Sequence, residues 1–267
     1  MIDPELQSQI DAATSYEEFF LPALFNQWTP HVLNAAQVDP GQKVLDVACG
    51  TGVLARAALA RVSPGGSVAG LDLNPGMLAV AAKVEPRIAW RQGMAESLPY
   101  SDESFDVVVS QFGLMFFPDR LAAVREIHRV LVSEGRLAVA VWDSLDHIPG
   151  YAAEVALVER VAGEQAAGPL RAPFILGDIE ELAALFKSAG VRDVSIMTYY
   201  GVARFPSIRS MLDADLKGWL PLFGITLGNE EIDRIYKEAE QELSSFLSPA
   251  GTVAFDLSAH ILSGSKK

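Results

Sequence analysis

The sequence predicts an α/β protein. Its core is a doubly wound, seven-stranded, mostly parallel sheet, with a helical lid before the first strand and a helical insert before the last. Three observations carry that expectation. Lys43–Val47 is an apolar, β-branched run suited to a strand covered on both faces, and it passes through Gly50-Thr51-Gly52 into helical spacing from Val53. A second strand, Ser67–Asp72, follows after a helix-length interval, as in a βαβ unit. Phe105–Ser110 and Arg136–Trp142 are further apolar runs, each set off by a polar turn.

The first strand and its turn carry the chemistry. Asp46 interrupts the apolar run, and a carboxylate there is costly unless it leaves the strand end and meets a partner. Gly50 and Gly52 form a turn that no Cβ obstructs, so a ligand can approach the backbone. Free N–H groups at the helix start favour anionic or electron-rich groups. An ordinary βα turn capped by Thr51 fits these residues too. The second strand adds an acid at its end, Asp72, 26 residues after Asp46. In a nucleotide-binding βαβ unit such an acid holds ribose hydroxyls. Val53-Leu54-Ala55 supplies no third glycine, which argues against a dinucleotide whose pyrophosphate needs the helix terminus.

Four motifs stand in order: Val44-Leu-Asp-Val-Ala-Cys-Gly-Thr-Gly52, Gly70-Leu-Asp-Leu-Asn-Pro-Gly-Met77, the stretch Gly93–Ser110, and Glu126-Ile-His-Arg-Val-Leu-Val-Ser-Glu-Gly-Arg-Leu137. Together they resemble the class I S-adenosylmethionine-dependent methyltransferases, in particular the type 11 branch with the ubiquinone and menaquinone biosynthesis enzymes. The resemblance spans roughly residues 40 to 145. Ala48 stands where the family usually has its first glycine, and Met94 where it often has an acid that reads the adenine amine. The resemblance implies a Rossmann-like core over 39–147 and S-adenosyl-L-methionine as cofactor, with no metal. In its terms Asp72 holds the ribose hydroxyls, next to Leu73. Ala48, Gly50 and Gly52 bring the loop to the amino-acid part of the cofactor. Asp46 orients that loop or engages the cationic end through a water. Met77 projects toward adenine or ribose, Met94 gives apolar contact, Ala95 offers its N–H, and Glu96 closes the same turn. Ligands of open α/β sheets lie beyond the carboxyl ends of the strands, which places Ser110, Gln111 and Phe112 beside the transferred methyl. Phe116 and Phe117 read equally as packing under the next helix.

The N-terminal segment, 1–38, reads as the lid. Residues 3–13 suggest a helix opened by Asp3-Pro4, and Thr14 or Ser15 a cap for the next one. Tyr16, Phe19, Phe20, Leu24, Phe25 and Trp28 then crowd one stretch. They suit an apolar face packed on the domain. They also suit a lid that excludes water from the cofactor, with Tyr16 and Trp28 as its contacts. Thr29-Pro30 starts a helix to Gln37, and Asp39-Pro40-Gly41 turns into the first strand.

Beyond the glycine turn, helices are expected over Val53–Val62 and after Asn74, and a third strand over Arg87–Arg91. Asp119 caps a helix to Val132 that carries His128 as a structural residue. The fifth strand ends in Asp143–His147. His147 is the general-base candidate, because imidazole titrates near neutrality; an exposed loop histidine is the plainer alternative. From 148 onward the chain reads as the rest of the sheet plus a substrate cap over about 206–249. A helix covers Ala152–Val161, Gly163–Gly177 is a mobile rim, and Asp178 caps a helix to Ala189. Val191–Ala203 and Gly251–Leu262 are the last strands.

Composition narrows the partners. At 267 residues and 50% hydrophobic content the chain fits one large domain or a domain with a cap. A net charge of −13 without a basic run disfavours nucleic acid and anionic membranes. Cys49 forms no intramolecular disulfide on its own, which suits a cytoplasmic setting, and it reads as a small turn residue rather than a nucleophile. No apolar run approaches membrane-spanning length, so no integral membrane segment is expected. The expected activity is methyl transfer to a small or lipophilic acceptor, with a homodimer left open. A dehydrogenase and a noncatalytic cofactor-binding scaffold are the rivals.

Overall fold

A computed structural model describes residues 3–267. Helix α1 (Pro4–Ser15) passes without a break into a π-helical stretch, Tyr16–Phe25, then a 3-10 turn, Asn26–Trp28, and α2 (Thr29–Ala35). The core follows as β1 (Lys43–Val47), α3 (Val53–Val62), β2 (Ser67–Asp72), α4 (Pro75–Val84), β3 (Ala89–Gln92), β4 (Phe105–Gln111), α5 (Arg120–Val130) and β5 (Leu131–Trp142). Helices α6 (Pro149–Ala162), α7 (Glu164–Arg171) and α8 (Ile179–Ser188) lead to β6 (Arg192–Phe205). Helix α9 (Ile208–Asp213), a second π-helical stretch, Ala214–Trp219, and α10 (Asn229–Glu242) separate β6 from β7 (Val253–Ser265).

The strands form one sheet in the order β3-β2-β1-β4-β5-β7-β6. Strands β1 to β5 pair in parallel, and β7 runs antiparallel to both β5 and β6. This is the doubly wound, mostly parallel sheet that the sequence predicts. Strand β1 lies inside it, and Val44, Leu45 and Val47 are all inaccessible to solvent. Each such side chain stabilises the fold by about 1.5–3 kcal/mol. The strand order reverses at β1, between β2 and β4, so the ligand crevice falls at the carboxyl ends of β1 and β4. Helix α1 lies on α4 through Gly76, where a Cβ would overlap Gln9. Among the described residues no helix is long and apolar enough to cross a membrane.

Several expected boundaries shift. Thr14 and Ser15 cap nothing: their hydroxyls donate to the carbonyls of Ile10 and Asp11 inside a continuing helix. Thr51 is not the cap of α3, since Gly52 holds that position with φ 90°. Helix α5 stops at Val130 because Leu131 is already extended, and β5 starts there rather than at Arg136. The segment 163–177 is not an open rim. It folds into α7 and a 3-10 turn, Ala172–Phe174, because Ala166, Ala167 and Leu170 recur at helical spacing and bury themselves, as does Phe174. His128 is half-buried opposite Gly190, as a structural histidine would be.

Candidate active site

The turn after β1 is held in an uncommon conformation. Ala48, Gly50 and Gly52 all have positive φ, at 57°, 53° and 90°. The left-handed region costs an L-residue roughly 1–2 kcal/mol, which is why a glycine would suit position 48. Here the Ala48 methyl fits because Gly113 faces it without a Cβ. Gly50 faces the Tyr16 ring, which lies 3.9 Å from the place its Cβ would occupy. The missing Cβ of Gly52 is taken up differently. The Trp90 indole from β3 fills that space and also the space over Gly70. Trp90 is fixed there by its Nε1, which donates to the Glu85 carbonyl at 2.9 Å.

Asp72 stitches two loops together. Its Oδ2 accepts from the Gly50 amide and its Oδ1 from the Asn74 amide, both at 2.8 Å. Burial raises its pKa, and the amides of Asn74, Gly50 and Leu73 pull it back. Asp46 is 1% exposed, and neither carboxylate oxygen has a hydrogen-bond partner among the described residues. Burial pushes its pKa well above the usual range; the nearby Ala55 amide pulls it back, Asp72 pushes it further up and Arg56 opposes that weakly. Arg56 binds Glu17 of the N-terminal segment at 2.8 Å. The Tyr16 hydroxyl is pushed up by burial and then by the negative charges of Asp72, Glu17 and Asp46. Three carboxylates therefore gather near the Tyr16 hydroxyl with Arg56 bound to one of them, and among the described residues buried oxygens of Glu17, Asp46 and Thr51 have no partner. Such a site is short of positive charge. Cys49 is buried in the same loop and burial pushes its thiol well up, which disfavours the thiolate a nucleophile needs.

At the outer edge of β2 and β3, Leu73 is 62% and Met94 47% exposed, an apolar pair beside Asp72. Ala95 is buried, and Glu96 accepts weakly from the Asp119 amide at 3.4 Å. At the end of β4 the Ser110 hydroxyl is buried and has no partner among the described residues. Gln111 donates to the Phe25 carbonyl at 3.2 Å, and its own oxygen has no partner among the described residues either. Phe112 is a bulky residue at φ 59°, a strained backbone held by its packing. Its ring stacks on Trp142 at 3.8 Å between centroids, with Phe25 at 5.6 Å and Trp28 edge-on at 6.0 Å.

Phe25, Phe112 and Trp142 line a chamber of about 1080 Å³. Its walls come from the N-terminal segment, α6, the 3-10 turn before α8 and the insert between β6 and β7, with Phe20, Phe116, Phe174, Phe205 and Trp219 among them. Two buried acids line it as well. Glu154 of α6 is fully buried and Asp215 of the second π-helical stretch is 8% exposed. The two carboxyl groups lie close enough to perturb each other, which favours keeping a proton on one of them. Burial raises Glu154 well above the carboxylate range and Asp215 to about 7. An acid with a raised folded pKa binds more protons folded than unfolded, so it removes stability as pH rises from its unfolded to its folded pKa. The protein is therefore expected to be less stable toward urea at pH 8 than at pH 5. Glu154→Gln with Asp215→Asn is expected to flatten that slope, and an unchanged slope contradicts the assignment.

A family model described as a methyltransferase domain matches residues 45–139. The demethylmenaquinone methyltransferase of Staphylococcus carnosus is 34% identical over 206 residues, covering 71% of this chain and 85% of its own. That of Lysinibacillus sphaericus is 34% identical over 190 residues, with 66% and 81% coverage. The crystal structure of the YcgJ protein from Bacillus subtilis shares the fold, with a TM-score of 0.60 over 90% of this chain and 98% of that one at 21% identity. The chain belongs to the S-adenosylmethionine-dependent methyltransferases.

This methyltransferase uses S-adenosylmethionine, a cation at both its sulfonium and its ammonium, and the anion-rich loop is chemically suited to it. Of the residues expected from sequence, the fold gathers Ala48, Gly50, Gly52, Asp46, Asp72 and Tyr16 around one turn. Tyr16, Met77 and Phe112 also line the chamber. Trp28 does not line it. It is 1% exposed, packed behind Phe112 and Trp142. His147 is not drawn in either. Its side chain is 65% exposed and its Nδ1 pairs with Asp143 at 2.9 Å, which raises its pKa and leaves less of the neutral imidazole free to take a proton near neutrality. Sequence reasoning missed Glu154 and Asp215. The available signal was an acid at an apolar helical position: Glu154 shares its stripe with Tyr151, Val155 and Val158.

Proposed function

We propose that this methyltransferase alkylates a small, lipophilic, ring-bearing acceptor seated in the chamber. The observation that carries this reading is the chamber itself, which exceeds the ~300–1,000 Å³ of ordinary small-molecule sites and is walled mostly by aromatic and aliphatic side chains. The names of its relatives support a quinol-type ring.

When bound, S-adenosylmethionine supplies a methyl group already activated for in-line displacement. What remains for the chain is alignment and exclusion of water. In this reading Asp72 takes the ribose hydroxyls while its stitch to Gly50 keeps the loop in shape. Asp46, with Glu17 nearby, faces the ammonium of the amino-acid end. Leu73, Met94 and Met77 offer apolar surface to the adenosine, and Ala95 its amide. Tyr16, Phe25, Phe112 and Trp142 keep water from the transferred group, with Ser110 and Gln111 at its edge.

The reading is tested with a series of 1,4-naphthoquinols bearing alkyl tails of increasing length. Each buried methylene contributes about 0.8 kcal/mol, so KM is expected to fall roughly fourfold per carbon until the chamber is full. A KM indifferent to tail length, with transfer to hydrophilic amines instead, overturns it.

A further inference from the structure

Glu154 and Asp215 have no task in the reaction as described so far. They come from separate parts of the wall, α6 and the stretch after α9, and both line the chamber. No donor among the described residues reaches either oxygen of Glu154 or Oδ2 of Asp215. The two cations that line the chamber, Arg204 and Lys217, are exposed, and Lys217 pairs with Asp213 at 2.7 Å. A wall meant only to be apolar gains nothing from buried acids without partners, which destabilise it.

We propose that Glu154 and Asp215 are the polar anchor of the acceptor chamber and bind a phenolic hydroxyl of the acceptor. The inference rests on the ring-bearing acceptor proposed above and adds where its polar end lies. Burial raises both acids above the usual carboxylate range, and neither Glu154 oxygen has a partner among the described residues. An unpartnered acid in an apolar wall matches one strong hydrogen-bond donor. The ring belonging to that donor finds aromatic neighbours in Tyr151 and Phe174, whose centroids lie 5.5 Å apart. Tyr151 follows the same charges, its own pKa being pushed up by burial and then by Asp215 and Glu154. The remaining acids lining the chamber, Asp11, Glu18 and Asp213, are none of them buried, and Asp213 is already paired.

The test compares 1-naphthol with naphthalene, matched rings that differ by one hydroxyl, by quenching of tryptophan fluorescence with S-adenosylhomocysteine present. The wild type is expected to prefer 1-naphthol by about tenfold or more, the effect of a hydrogen bond to a charged group. In Glu154→Leu and in Asp215→Asn that preference is expected to fall to about threefold or less, while naphthalene and S-adenosylhomocysteine bind as before. Glu154→Leu is also expected to melt at a higher temperature than the wild type, as removal of an unpaired buried acid predicts, and Asp215→Asn serves if it does not fold. Equal affinity of the wild type for both rings, binding of neither, or a preference that survives in both variants overturns the anchor. If the preference depends on the pair but no naphthoquinol is methylated, the anchor stands and the acceptor proposed above falls.

Discussion

Gly52→Ala is expected to destabilise the protein by about 2–5 kcal/mol and to abolish measurable binding of S-adenosylmethionine. Two costs combine. The residue sits at φ 90°, outside the range of an L-side chain, which costs roughly 1–2 kcal/mol. Its Cβ would also overlap the Trp90 indole, and overpacking of this kind costs about 1–3 kcal/mol. Trp90 has no easy retreat, because it also covers Gly70 and donates to the Glu85 carbonyl. The loop must move instead, and it carries the Gly50 amide away from Asp72. Urea denaturation and calorimetric titration measure the two effects. Combining Gly52→Ala with Trp90→Leu isolates the contact: recovery of stability beyond the sum of the single changes confirms that the indole is what the new methyl meets. Strict additivity removes Trp90 from the account.

Asp72→Ala is expected to weaken S-adenosylmethionine binding by about tenfold or more, with the chain still folded. A hydrogen bond to a charged group contributes about 1.5–3 kcal/mol, which sets that lower bound. The variant loses more than a ligand contact, since the amides of Gly50 and Asn74 lose their acceptor and the two loops are no longer joined. Asp72→Asn keeps one acceptor oxygen and is expected to fall between wild type and alanine. Unchanged affinity in a folded Asp72→Ala variant contradicts the ribose role.

The part of the fold built from local signals was legible. Val44, Leu45 and Val47 announce a buried strand, Asn74-Pro75 a helix start, and Asp72 an acid at the sheet edge, all from residues close in sequence. What was not legible came from contacts across the chain. Gly52 looked like an opening for a ligand, yet its missing Cβ makes room for Trp90, 38 residues later, whose position no local pattern gives. Helix α7 was masked by the glycine, alanine and proline of 163–177, although Ala166, Ala167 and Leu170 keep helical spacing. His147 was placed at the correct end of β5, but its direction depends on Asp143, and that turns it toward solvent. The aromatic density of the N-terminal segment marked both of its readings at once. Tyr16 and Phe20 line the chamber, while Trp28 is core. Glu154 and Asp215 lie in the stretch where the pattern is simply helical, and only the fold shows that two acids 61 residues apart meet in one wall.

The most direct test of the account follows the methyl group itself. The protein is incubated with methyl-labelled S-adenosylmethionine and either a tailed 1,4-naphthoquinol kept reduced or a hydrophilic amine, and the label is then partitioned into organic solvent. The account predicts label in the extracted quinol, one S-adenosylhomocysteine formed for each methyl moved, and no transfer to the amine. Transfer to the amine alone, or bound S-adenosylmethionine with no label reaching the quinol, would contradict it.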